Sequence, residues 1–261
     1  MAATNDVPNP PATALADGAR RRSSARRLHA MYVRLLRRFG PQQWWPARTP
    51  FEVVIGACLT QNTSWKSVER SIANLEERGV LSTDALRSIS EAELRELIRP
   101  SGFMMRKAAA LKAFVAFLDT HYSGRMQDLR AAAVRSPAAV RPQLLALPGL
   151  GPETADAILL YALDVPAMVV DEYLRRIALR HGLIPATARY HHLQALAEHA
   201  FAARRARDNP AALTRHYNEF HALVVQIGKL HCGRVARCEN CPLAWDLAKH
   251  GSPTAPDKMK R

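Results

Sequence analysis

Along most of this 261-residue chain, apolar side chains return at every third or fourth position. Leu28, Met31, Leu35 and Leu36 do so up to Phe39, where Gly40-Pro41 stops the run. Trp65, Val68, Ile72 and Leu75 repeat the pattern over residues 65–78. That period puts an apolar stripe along one face of a helix, so helices must bury their stripes against other helices. The same spacing recurs over 51–59, through Leu94, Leu97 and Ile98, over 105–117, and briefly over 144–147. It returns over 155–163, 170–182, 191–207 and 216–230. Pro, Gly and Ser punctuate the runs, as in Pro100-Ser101-Gly102, Ser136-Pro137 and Arg141-Pro142. Residues 165–170 have a strand-like composition, but the run is short and lies between Asp164 and Asp171. About ten helices, without a sheet-forming region or an internal repeat, predict an all-α protein.

Charge narrows the class of partner. Lys and Arg number 37 against 23 Asp and Glu, a formal charge of +14. A polyanion is the expected partner, with nucleic acid as the default. Four Cys are too few for a disulfide-stapled scaffold. No apolar run is long and unbroken enough to span a membrane, and the first residues lack the pattern of an export signal. A cytoplasmic monomer that meets DNA at the nucleoid is therefore expected. Residues 1–19 lack any period and read as a disordered tail, and residues 251–261 as a frayed one. Between them stands a basic cluster of Arg20, Arg21, Arg22, Arg26 and Arg27, either a solvated helical turn or a phosphate-contacting arm.

The most informative segment is Leu147-Pro148-Gly149-Leu150-Gly151, followed by Pro152-Glu153-Thr154-Ala155. Gly149 and Gly151 allow a tight turn between helices, and Pro152 suits a first helical turn. Unpaired N–H groups at such a turn can face a phosphate, so a helical hairpin could grip one DNA strand without reading its bases. Gly149, Leu150, Gly151 and Thr154 are the candidate phosphate-binding residues.

This hairpin and four other fragments together carry a resemblance. They are Trp44-Trp45-Pro46, Gly56-Ala57-Cys58-Leu59-Thr60-Gln61-Asn62-Thr63, Arg99-Pro100-Ser101-Gly102-Phe103 and Phe220-His221-Ala222-Leu223-Val224-Val225. With Val169-Val170-Asp171 after the hairpin, the chain from about 26 to 246 resembles the endonuclease III branch of the helix-hairpin-helix DNA glycosylase superfamily. Within that branch it is most similar to the endonuclease-III-like 3-methyladenine DNA glycosylases. The resemblance implies two lobes with a DNA cleft between them. A six-helix lobe would span 48–165, with the hairpin near 144–160. The second lobe would join 20–47 to 166–250, with a Cys-rich loop at 232–241. Damaged double-stranded DNA would be bent and the lesion flipped out of the helix.

The resemblance also assigns roles. Asp171 matches the family's Asp that supports cleavage of the N-glycosidic bond. A carboxylate there can stabilise the cationic sugar or activate water. Read without the family, Asp171 is an N-cap of the helix that follows, and both readings are compatible. Bifunctional relatives carry a Lys nucleophile where this chain has Glu153, which cannot form a Schiff base, so a monofunctional enzyme is expected. Trp44, Trp45 and Pro46, with Trp65, correspond to a wall that stacks the flipped base, and ring faces suit a cationic alkylpurine. Gln61 and Asn62 would fill the gap or contact the lesion, Gln61 being the better candidate for the gap. Lys229 corresponds to a pocket-facing lysine of a relative, although an exposed or phosphate-contacting role also fits it.

Cys232, Cys238 and Cys241 form a C-x5-C-x2-C pattern followed by Pro242. Relatives close a [4Fe–4S] loop with a fourth Cys, and Leu247 stands in that place. Asp246, His231 or His250 could supply the missing ligand, a Cys3His zinc site satisfies the same count, and loss of the metal is the third reading. The expected function is monofunctional removal of alkylated purines, 3-methyladenine first and 7-methylguanine by extension. The alternatives are an endonuclease III-like glycosylase for oxidised pyrimidines or mismatched bases, with or without lyase activity, and a non-catalytic DNA-binding module.

Overall fold

The computed structural model of the chain describes residues 12–250, in which fourteen α-helices are joined by turns and a few longer loops, such as 40–49 and 231–243. The only β feature among the described residues is one isolated bridge between Cys232 and Ala236. No described helix is long and apolar enough to cross a membrane. The helices exceed the expected ten because three short ones, Thr83–Ser88, Met126–Arg135 and Ala244–His250, lie outside the periodic runs, and because the run over 191–207 breaks at Phe201. The chain divides into two compact units: Pro41–Asp171 with Arg207–Ala222, and the remaining described segments, up to Gly40, Glu172–Ala206 and from Leu223 on.

The first of these units is built around the helix Pro50–Thr60. Thr49 caps it by accepting from the Glu52 amide at 3.1 Å, and Pro50 occupies its first turn. Every residue from Phe51 to Leu59 is buried, so this helix is apolar all round and packs against neighbours on all sides. Cys58 lies on it as a core thiol, and burial pushes its pKa up to about 12, which makes it inert. Ser64, Ser82 and Ser90 cap the next three helices, each through a hydroxyl that accepts a backbone N–H. The expected six helices resolve into eight, Pro50–Thr60 to Pro152–Ala157, followed by a single π turn over Ile158–Ala162. The helix Met104–Tyr122 begins with Arg106 and Lys107, an unfavourable placement against its dipole. Lys107 resolves it by turning inward, where Nζ donates to the carbonyls of Leu59 and Ser101 and to Thr63 Oγ1 at 2.6–2.8 Å.

The second unit rests on the helix Ala12–Phe39, which starts inside the stretch read from sequence as a tail. Ala12, Ala14, Leu15 and Ala16 are good helix formers, and that local preference outweighs the missing period. Residues 1–11 and 251–261, read as the ends of the two tails, lie outside the described residues. Leu28, Met31, Tyr32 and Leu35 form its buried stripe, and Tyr32 meets Phe201 at 5.0 Å between ring centroids. Arg20, Arg21, Arg22 and Arg26 are exposed. Arg27 departs from that cluster. It clasps the fully buried carboxylate of Asp246 through two bonds of 2.8 and 2.6 Å and donates to the His181 carbonyl at 2.7 Å.

Candidate active site

Three of the four tryptophans converge within the unit Pro41–Asp171 with Arg207–Ala222. Trp44 lies 6.1 Å from Trp45 and 6.5 Å from Trp65, and Trp45 lies 5.4 Å from Trp65 between centroids. The planes of Trp45 and Trp65 stand at 85°, so these rings meet edge to face and not as parallel plates. Tyr161 adds a fourth ring, 5.1 Å from Trp45. Gly56 makes room on the opposite side, since a Cβ there would come within 3.3 Å of the Trp45 ring. Glu219 holds the approach to this wall: its carboxylate accepts from the backbone N–H of Gln42 at 2.7 Å and of Gln43 at 3.1 Å. Pro46 is exposed at the edge of the cluster.

Asp171 is buried and immediately precedes the helix Glu172–Arg180. One carboxylate oxygen lies 3.8 Å from Nε2 of His221, which is also buried. Nδ1 of the same ring lies 2.7 Å from the phenol oxygen of Tyr161. Burial pushes the His221 imidazole down to about 4, so it is neutral at pH 7. Burial first, then the nearby carboxylates of Asp171 and Glu219, hold the Tyr161 phenol well above its usual range. The aromatic wall and the acid are therefore joined through one Tyr–His pair. Tyr161 and Glu219 carry no motif of their own, whereas His221 lies in the Phe220–Val225 fragment. The sequence signal for Tyr161 and His221 is a polar side chain set among apolar neighbours, at 158–163 and 220–225.

The hairpin packs in the same unit. Gly149 adopts φ +80°, and a Cβ there would lie 3.1 Å from that of Ala110, so the turn requires glycine on both counts. Gly151 has an ordinary φ of −86° with open space around it. What glycine supplies at this position is exposed backbone, not an unusual angle. Pro152 takes the first helical turn as expected. Leu150 and Thr154 are buried. Gln61 donates through Nε2 to the Gly149 carbonyl at 2.9 Å and to Thr154 Oγ1 at 3.0 Å. The residue expected to fill a DNA gap thus also braces the hairpin from within. Its neighbour Asn62 is exposed at φ +52°. Arg141 and the buried Asp156 pair at 2.6 and 2.9 Å, tying the two hairpin helices together. Phe103 and Arg106 line a small cavity with Gln61, Asn62 and Gly149, and Phe103, the last residue of the Arg99–Phe103 fragment, is an exposed aromatic. Glu153 is exposed on the first hairpin turn. Lys229 is exposed near the end of the helix Pro210–Leu230 and belongs to the other unit.

The metal expectation is corrected. Among the described residues no group of three or more His, Cys, Asp and Glu side chains could hold a metal ion. The thiols of Cys232, Cys238 and Cys241 are free, and the loop that bears them is held by arginines. Arg180 donates to Cys232 Sγ at 3.1 Å and to the carbonyls of Gly233 and Arg234, both at 2.9 Å, and Arg176 donates to the Cys232 carbonyl at 3.0 Å. The fourth-ligand candidates are otherwise placed. Asp246 is engaged by Arg27 and His181, His231 Nδ1 lies 2.9 Å from the Arg237 carbonyl, and His250 is exposed. A [4Fe–4S] cluster or a zinc ion therefore does not fit the residues present.

Comparison with known proteins gives one consistent answer. Residues 55–203 match the family described as HhH-GPD superfamily base excision DNA repair protein. A candidate DNA repair glycosylase of Methanocaldococcus jannaschii is 41% identical over 216 residues, 83% of this chain and 93% of that protein. Endonuclease III of Thermotoga maritima is 31% identical over 52% of this chain and 58% of its own length. The crystal structure of Helicobacter pylori 3-methyladenine DNA glycosylase bound to 1,N6-ethenoadenine superposes with a TM-score of 0.66 at 29% identity. It covers 79% of this chain and 97% of that one.

Proposed function

The chain belongs to the HhH-GPD superfamily of base excision DNA repair proteins and is a DNA glycosylase, and we propose that it is a monofunctional one, which hydrolyses the N-glycosidic bond of a single flipped base and leaves the strand intact. The observation that carries this reading is Asp171, buried beside His221 and linked through Tyr161 to the aromatic wall. As the base departs, the sugar acquires positive charge, and an ionised carboxylate at that place stabilises the charge and orients the attacking water. Glu153, at the position of the lyase lysine, supplies no amine for a Schiff base. The positive charge of the chain supports a grip on phosphates around the exposed backbone of Gly149 and Gly151.

For the lesion, an endonuclease III-like preference for oxidised or mismatched pyrimidines is the better supported. Trp45 and Trp65 meet edge to face, so they do not frame the slot between two ring faces that would favour a cationic purine. The similarity to endonuclease III points the same way. An alkylpurine preference is the second reading. It rests on Trp44-Trp45-Pro46 and on the likeness to the H. pylori enzyme. The test is free-base release from duplexes that each carry one defined lesion: uracil or thymine opposite guanine, thymine glycol, 7-methylguanine and 1,N6-ethenoadenine. Asp171→Asn is expected to abolish release while still binding a duplex with a tetrahydrofuran abasic analogue. Release by Asp171→Asn at the wild-type rate, or none by the wild type from any duplex, would overturn the reading.

A further inference from the structure

A buried carboxylate must be held in one orientation if it is to face a sugar carbon. The helix Pro210–Leu230 brings His221 to Asp171, and the turn Ile158–Ala162 brings Tyr161 to the far side of the same imidazole. We propose that His221, fixed in one tautomer by Tyr161, is a positioning residue that aims the Asp171 carboxylate at the reacting sugar. The proposal rests on the assignment of Asp171 as the carboxylate of the glycosylase reaction.

Buried in this setting, the imidazole is neutral and carries a single N–H. The Tyr161 phenol stays protonated and has one hydrogen to give. If Nδ1 bore the imidazole proton, the bare lone pair of Nε2 would face an anionic carboxylate oxygen. If Tyr161 donates to Nδ1 instead, the proton sits on Nε2, the nitrogen nearer Asp171 Oδ2, and no lone pair faces the carboxylate. The hydrogen-bond network therefore selects the Nε2–H tautomer. At 3.8 Å the contact with Asp171 is longer than a hydrogen bond, but the N–H dipole still favours the ionised carboxylate.

The same chain reaches the base wall, because Tyr161 also packs on Trp45. The other carboxylate that acts on Tyr161 is Glu219, which is engaged by the Gln42 and Gln43 amides. It is therefore Asp171, and not Glu219, that lies within reach of Nε2.

Single-turnover base release on the lesion panel above tests the proposal, with three variants beside Asp171→Asn. His221→Phe keeps a ring of similar size and removes the N–H. His221→Gln restores a donor near the place of Nε2. Tyr161→Phe removes only the hydroxyl that selects the tautomer. The expected result is a loss of about 10–100-fold in His221→Phe, as for removal of an orienting partner elsewhere. Tyr161→Phe should lose less, and His221→Gln should recover much of the rate. Affinity for the abasic-analogue duplex should be unchanged in all three, because a positioning residue acts on the chemical step. Wild-type rates in His221→Phe and Tyr161→Phe, with Asp171→Asn inactive, would overturn the proposal and leave the assignment of Asp171 standing. A His221→Gln rate no higher than that of His221→Phe would also overturn it, by marking His221 as structural. If His221→Phe does not fold, Tyr161→Phe and His221→Gln decide the question. An active Asp171→Asn removes the assignment and the proposal together.

Discussion

The phenol oxygen of Tyr161 lies 2.7 Å from Nδ1 of His221, across 60 residues of sequence. Tyr161 lies in the π turn that follows the hairpin helix Pro152–Ala157, and His221 on the long helix near the other end of the chain. Their contact connects the ring wall of Trp44, Trp45 and Trp65 to the acid at Asp171.

Acid should destabilise the fold through His221. Its imidazole protonates only near pH 4 when folded, against about 6.5 in the unfolded chain. Between those values the unfolded state binds the extra proton, so stability is lost as pH falls from 6.5 toward 4. The group's contribution to that loss is on the order of 3 kcal/mol. Urea denaturation at pH 7 and pH 4.5 should show a smaller decline in His221→Gln than in the wild type. Parallel declines would rule out His221 as the source.

Gln61→Ala should loosen the hairpin. It deletes the donor to the Gly149 carbonyl and to the Thr154 hydroxyl. A cost of roughly 1–2 kcal/mol is expected in chemical denaturation. Binding to undamaged duplex should weaken as well, since the turn proposed to face phosphate loses its support. Unchanged stability together with unchanged affinity would show that the brace contributes nothing.

Borohydride reduction in the presence of lesion-bearing duplex should trap no covalent complex. Glu153 is exposed at the hairpin and has no amine with which to attack the sugar. A robust trapped adduct, seen as a shifted band on a denaturing gel, would mean that another lysine of the chain performs lyase chemistry.

Arg27→Ala should destabilise the unit that contains it, whereas a metal chelator should not. The Asp246 carboxylate is fully buried, and without Arg27 it keeps His181 but loses its two-point cationic partner. Breaking such a pair costs about 3–5 kcal/mol. The Cys232 loop is held by Arg176 and Arg180, so its order does not depend on iron or zinc. Thermal melting with and without chelator checks both halves, and a large chelator-induced drop would contradict the second.

Several features were legible before any coordinates. The glycine turn at Gly149 and the position of Asp171 before a helix both depend on residues within a few positions of one another. The metal site was misjudged for a related reason. Three correctly spaced cysteines suggest a cluster, but the fourth ligand depends on where Asp246 and His231 point, which spacing does not reveal.

What the sequence by itself determined is local. The three-to-four-residue period makes the chain helical, small polar residues start its helices, and Pro and Gly end them, because backbone hydrogen bonding in a helix joins near neighbours. Only the tertiary structure decided that Tyr161 and His221 meet, that Gln61 reaches across 88 residues to Gly149, and that Arg27 finds Asp246 219 residues away. Those contacts arise from which buried faces pack together. Many helical sequences have suitable faces, and only close packing selects the pairs that touch.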